Sequence, residues 1–273
     1  MVLREILLAM SLLFWTVMPV KSADRAQILQ FMAVTGFDVA LESMRLSARD
    51  APTMLGLDAD DFGLSWSRLA DRIFEPEALK SDALEILDKA LTEDVLAHAT
   101  GFYGSDLGQK LVTAENESHG LEFEDREVEG ARLAQALAAR GSPQPQYFLD
   151  MAESIGYVGA TIKAYREVQV RFLMAASLAG LIDQRFDEVD LRAMLAQQDD
   201  EVRQAMTDNL IVANAFTYRD FTDREMEIYR DALAMPQMME VYELMNAIHF
   251  TIMADRFERM ALKMVNLTPT QEL

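Results

Sequence analysis

The segment Pro236-Gln237-Met238-Met239-Glu240-Val241-Tyr242-Glu243-Leu244-Met245-Asn246-Ala247-Ile248-His249-Phe250-Thr251-Ile252 decides the fold class. Met238, Val241, Met245, Ile248 and Ile252 succeed one another at intervals of three and four, so on a helix they form one apolar stripe that needs burial. The rest of the chain agrees. Leu, Ala, Met, Glu, Asp and Arg dominate, while 12 glycines and 7 prolines are few for 273 residues. β-branched and aromatic residues do not gather into alternating runs, and no Asn-Gly or Asp-Gly pair signals a hairpin. Helix formers at this density predict an all-α protein.

Working outward, the sequence predicts helices over 24–48, 65–74, 76–90, 92–103, 105–139, 146–179, 187–204, 206–219, 222–234 and 236–266. Thr222-Asp223-Arg224-Glu225 reads as a capping box, with the Thr222 hydroxyl accepting from a first-turn amide and Glu225 reaching back. Thr92-Glu93-Asp94 offers a similar cap with two acids at the positive helix end. Pro76 suits a first helical position, where its missing donor would be unpaired anyway. Breaks are expected at Ala51-Pro52 to Gly63 and at Gly141-Ser142-Pro143-Gln144-Pro145.

The chain also resembles itself. Leu91-Thr92-Glu93 aligns with Phe221-Thr222-Asp223, and without a gap Leu96 pairs with Met226 and Leu111 with Val241. Gly36-Phe37 resembles Gly156-Tyr157 at a slightly shorter offset. Two related multi-helix units are therefore expected, 23–140 and 146–273, joined near 141–145 and packed separately or as one globule.

The first twenty-two residues read as a secretory signal peptide. Arg4 supplies positive charge partly offset by Glu5, Ile6 to Val20 is uncharged and mostly apolar, and Val20-Lys21-Ser22 fits cleavage after Ser22. That apolar stretch spans roughly 23 Å as a helix, short of a hydrocarbon core of roughly 30 Å. An uncleaved anchor is the alternative. Cysteine is absent, so neither a disulfide nor a lipid-modified cysteine is available. Together these point to a bacterial chain delivered to the periplasm, with no stable membrane insertion once the signal is removed.

A net charge of −20 repels nucleic-acid phosphates and anionic headgroups. It reads as a solvated surface, with attraction of cationic partners or divalent metals as the alternative.

Leu91-Thr92-Glu93-Asp94 followed by Phe102-Tyr103-Gly104-Ser105-Asp106-Leu107-Gly108-Gln109-Lys110 resembles the bacterial family called domain of unknown function 2059. Phe102, Tyr103, Ser105, Gly108 and Lys110 match its pattern, whereas Asp106 stands where the family has proline. The resemblance is specific over 91–112. A weaker second copy over 221–242 has Pro236 at that position but Ala232-Leu233 in place of Phe-Tyr and Met238 in place of the glycine. It implies export and a helical fold and brings no activity. From physics alone the segment is a helix–turn–helix junction in which Gly104 takes the left-handed conformation, Ser105 caps the next helix and Gly108 admits a neighbouring helix. Phe102 is expected as a core anchor, with Tyr103 at the edge. The functional alternative is a ligand or partner notch at Tyr103, Ser105 and Lys110.

No Gly-x-Ser-x-Gly, no glycine-rich phosphate loop and no His-Glu-x-x-His occurs, and thiol chemistry is impossible. Glu115, His119 and Glu122 share one helical face and form a candidate divalent-metal site, against which Gly120 weakens the helix. Met235, Met238 and Met239 with His249 form a candidate Cu(I) site, against which methionines at helical intervals read as core packing. No cofactor is indicated. The leading expectation is a non-enzymatic module for a protein or envelope partner, with metal binding and then an unrecognised acidic hydrolase as alternatives.

Overall fold

The computed structural model describes residues 24–48, 51–55, 64–121 and 123–267. The expected signal peptide, with Ser22, lies outside the described residues, as does Glu122. In order come α1 (Arg25–Thr35), α2 (Phe37–Ser47), a 3-10 turn at Ala51–Leu55, α3 (Leu64–Ile73), α4 (Pro76–Ala90), α5 (Glu93–Tyr103) and α6 (Asp106–His119). Then follow α7 (Phe123–Ala139), α8 (Gln144–Ser154), α9 (Tyr157–Ala179), α10 (Glu188–Ala196), α11 (Asp199–Thr217), α12 (Asp223–Leu233) and α13 (Pro236–Met264). The protein is all-α, and no described helix is long and apolar enough to cross a membrane.

Three of the long helices expected from sequence are interrupted. Gly36, at φ +71, splits the first into α1 and α2, and Gly156, at φ +62, separates α8 from α9. Gly36 is required twice over, because a Cβ there would also lie 2.6 Å from Asn116 Oδ1. The helix expected over 105–139 ends at His119, and the break expected near 205 lies at Gln197-Gln198. Gly104 corrects another expectation: it stays right-handed (φ −76), because the Ser105 cap, not a left-handed residue, turns the chain.

The predicted caps form. Glu225 N donates to Thr222 Oγ1 (3.2 Å) while Thr222 N donates to Glu225 Oε2 (2.7 Å). Val95 N donates to Thr92 Oγ1 (3.4 Å), and Gly108 N donates to Ser105 Oγ (3.1 Å). The 141–145 junction is pinned: the buried Gln144 amide donates to the Phe221 carbonyl (3.1 Å) and to Asp223 Oδ1 (2.9 Å).

One buried cluster runs from Ile28 to Met264 and includes Phe31, Phe74, Phe148 and Phe172. At its centre α13 packs on α9 and also on α3, α4 and α5. Packing partners recur along the chain: α1 lies on α4 and α5 as α8 lies on α11 and α12, and α2 lies on α6 as α9 lies on α13. Met238, Val241, Ile248 and Ile252 are buried as the stripe predicts, whereas Met245 is half-buried and faces a cavity.

Candidate functional site

A cavity of about 820 Å³ opens between α2 and α6 on one side and α8, α9, α11 and α13 on the other. Phe37, Ile155, Val168, Leu210, Met245 and Phe257 give it apolar walls. Its polar lining comes from several helices, among them α6, α9, α11 and α13. Glu115, Asn116 and His119 project from α6, and Tyr242, Asn246 and His249 from α13 at i, i+4 and i+7. These three α13 residues form a second stripe beside the apolar one, so α13 buries one face and turns the other to the recess.

Glu115 is the centre of the polar wall. Tyr218 and Tyr229 both donate to its Oε1, at 2.8 and 2.9 Å. Behind them the hydroxyls of Tyr103, Tyr229 and Tyr242 form a triangle, with Tyr229 3.1 Å from each of the others and Tyr103 2.5 Å from Tyr242. Each phenol has one proton, and Tyr229 donates its own in the hydrogen bond to Glu115. The protons of Tyr103 and Tyr242 are then left to serve the three contacts of the triangle, in which Tyr229 accepts. Burial raises the pKa values of all four phenols, so they stay protonated donors.

The wall is recessed yet not sealed. Glu115 is half-buried, and its carboxyl is pushed above the usual carboxylate range by loss of hydration, which outweighs the two tyrosine hydrogen bonds that favour the charged form. His119 keeps accessible surface, but that surface faces the recess, so desolvation and then Arg126 hold its pKa down. Burial, with a smaller push from His119, lowers His249 to about 4. Both imidazoles are thus neutral near pH 7. Arg126, also at the cavity, donates to Ser118 Oγ (3.1 Å).

The structure therefore joins Glu115, His119 and His249, taken from two separate sequence constellations, on one cavity. It does not join them into a metal site: among the described residues, no three His, Asp or Glu side chains converge on a common point. The methionine constellation is spread out along α13. Met238 is fully buried in the core, Met235 and Met239 are exposed at 46% and 42%, and His249 lies roughly 15 Å along the helix from Met239.

Residues of the junction motif have separate duties. Tyr103, 2% exposed, belongs to the phenol triangle instead of an edge, and Phe102 is half-buried with its ring stacked on Tyr229. Ser105 caps α6, and Gly108 lets the end of α5 close over it. Lys110 bonds Glu225 Oε1 (2.7 Å) and the Asp220 carbonyl (3.1 Å) and lies over the Phe221 ring, tying α6 to the start of α12. Tyr218, Tyr229, Tyr242 and Asn246 went unrecognised in the sequence. The polar stripe 242/246/249 beside an apolar one was the signal available.

Residues 77–122, covering α4 to α6 with Tyr103 and Glu115, match the family model described as an uncharacterized protein conserved in bacteria, domain of unknown function 2059. The resemblance read over 91–112 falls inside that stretch. No curated protein and no solved structure matches the chain.

Proposed function

We propose that this is an exported, periplasmic helical protein that binds a small amphipathic molecule in the central cavity without converting it chemically. The observation that carries the reading is the cavity itself. At about 820 Å³ it falls within the roughly 300–1,000 Å³ range of small-molecule sites. Its walls are mostly apolar, with polar side chains set among them and Glu115 bonded by two tyrosines at one place, a combination that holds a greasy body and orients a polar end. Asn246 Nδ2 supports the same reading, since it is buried at the cavity wall with no acceptor among the described residues. In this reading the two units expected from sequence are the two walls of the site, and a small molecule takes the place of the protein or envelope partner expected from sequence. Export and periplasmic location rest on the leader pattern and the missing cysteines.

The test is titration with the neutral fluorophore N-phenyl-1-naphthylamine. One saturable site is expected, abolished by Ala213→Trp, which fills the cavity from α11. Circular dichroism establishes that the variant is folded. Absence of saturable binding to the wild type, or equal binding to the folded variant, overturns the reading.

A further inference from the structure

We propose that the cavity takes a cationic amphiphile, an alkylammonium whose head group sits against Glu115 among Tyr218, Tyr229 and Tyr242. This rests on the cavity being a ligand site and adds the charge of the ligand.

Glu115 is the one carboxyl among the described lining residues. Both phenol donors meet Oε1, which leaves Oε2 as the oxygen available to a ligand. No lysine or arginine among the described residues pairs with this carboxyl. A recessed carboxylate without a counter-charge is unfavourable, and two neutral donors relieve only part of that penalty. An ammonium supplies what is missing.

The surrounding surface fits the same charge. Tyr218, Tyr229 and Tyr242 all line the cavity, and the rings of Tyr218 and Tyr229 stand nearly perpendicular (73°) with centroids 6.0 Å apart. Alkylated ammonium ions are weakly hydrated and are drawn to aromatic rings beside a carboxylate; the half-buried Tyr242 is the most accessible ring here, Tyr218 and Tyr229 being 6% and 2% exposed. The two histidines are neutral at physiological pH, which leaves Arg126, bonded to Ser118 Oγ, as the one cation among the described lining residues; decanoate in the test below reports whether it seats an anion instead. The apolar walls beyond the tyrosines then accommodate a hydrocarbon chain.

Isothermal titration at mildly alkaline pH with decyltrimethylammonium, 1-decanol, decanoate and tetramethylammonium tests this. Decyltrimethylammonium is expected to bind at one site, about tenfold or more tighter than decanol, with decanoate and the chainless tetramethylammonium weakest. Glu115→Gln is expected to abolish the preference for the cation while keeping decanol affinity, which also reports that the variant is folded. Attraction to the acidic exterior survives that substitution and fades with salt, so it is separable. Should the variant not fold, the head-group order of the wild type decides alone. Equal affinity for cation and alcohol, preference for decanoate, or unchanged cation binding by the folded Glu115→Gln variant overturns the proposal and leaves the cavity reading standing. Tetramethylammonium binding as tightly as the decyl compound overturns the amphiphile and points to a small quaternary amine. If no decyl compound binds, the cavity reading itself fails.

Discussion

His249 and Glu115 face the same recess and are shifted in opposite directions by one cause, loss of water. A histidine whose folded pKa falls from 6.5 to about 4 contributes stability that is complete above the unfolded value and is lost as pH drops through the folded one. The difference corresponds to up to about 3 kcal/mol between roughly pH 7 and pH 4. His119, lowered for the same reason, adds to that loss. Glu115 works the other way: its raised pKa gives stability present in acid and lost as pH rises through the folded value. The charged or titratable groups sharing this recess are Arg126 and the tyrosines, and the phenols do not titrate in this range. His249→Gln is therefore expected to flatten the acid limb of the stability curve, read from urea unfolding at neutral and acidic pH. A variant that loses as much stability on acidification as the wild type rules the buried-neutral histidine out. At this scale the sequence was only partly legible. The helical spacing of Glu115 and His119 was visible, but nothing local reveals that Tyr218 and Tyr229, more than a hundred residues away, deliver their protons to one oxygen of Glu115.

Among the elements, the junction between α5 and α6 has the least room. A Cβ on Gly108 would lie 2.3 Å from the Phe102 carbonyl oxygen and 2.5 Å from Tyr103 Cα, both backbone atoms that cannot swing away. Gly108→Ala must push α5 off α6 and take Tyr103 out of the phenol triangle with it. The expected destabilisation is about 1–3 kcal/mol, typical of overpacking, accompanied by a changed near-ultraviolet tyrosine signal. Gly101, on the exposed side of α5, meets nothing within 4 Å. Gly101→Ala is expected to stabilise by about 0.5–1 kcal/mol, because only the helix propensity changes. Thermal unfolding of the pair checks both signs, and a Gly108→Ala protein as stable as wild type contradicts the packing account. Helix starts were readable because a cap is a local device: Thr92, Ser105 and Thr222 each bond an amide three residues on. The turns at Gly36 and Gly156 were not, since a single left-handed residue redirects the chain without disturbing the hydrophobic spacing on either side.

At the scale of the molecule, α13 decides how the two halves behave. It packs on α9 in its own half and on α3, α4 and α5 in the other, within one buried cluster. Arg256, only 5% exposed, crosses between halves to pair with Asp82 on α4, while its Nε has no partner among the described residues. A core shared in this way predicts one calorimetric transition whose van't Hoff and calorimetric enthalpies agree, with no separate melting of 23–140 and 146–273. Asp82→Ala sharpens the test. It leaves the buried guanidinium with only the longer contact to Asp255 Oδ2 (3.8 Å), a change that costs less than the about 3 kcal/mol of a fully broken buried pair, because Asp82 is half in water and Asp255 remains. If the halves are one cooperative unit, the substitution lowers the single transition without dividing it, and Arg256→Met on the same background recovers most of the loss by removing the stranded charge. Two resolved transitions, in the wild type or in Asp82→Ala, would show instead that the halves unfold independently.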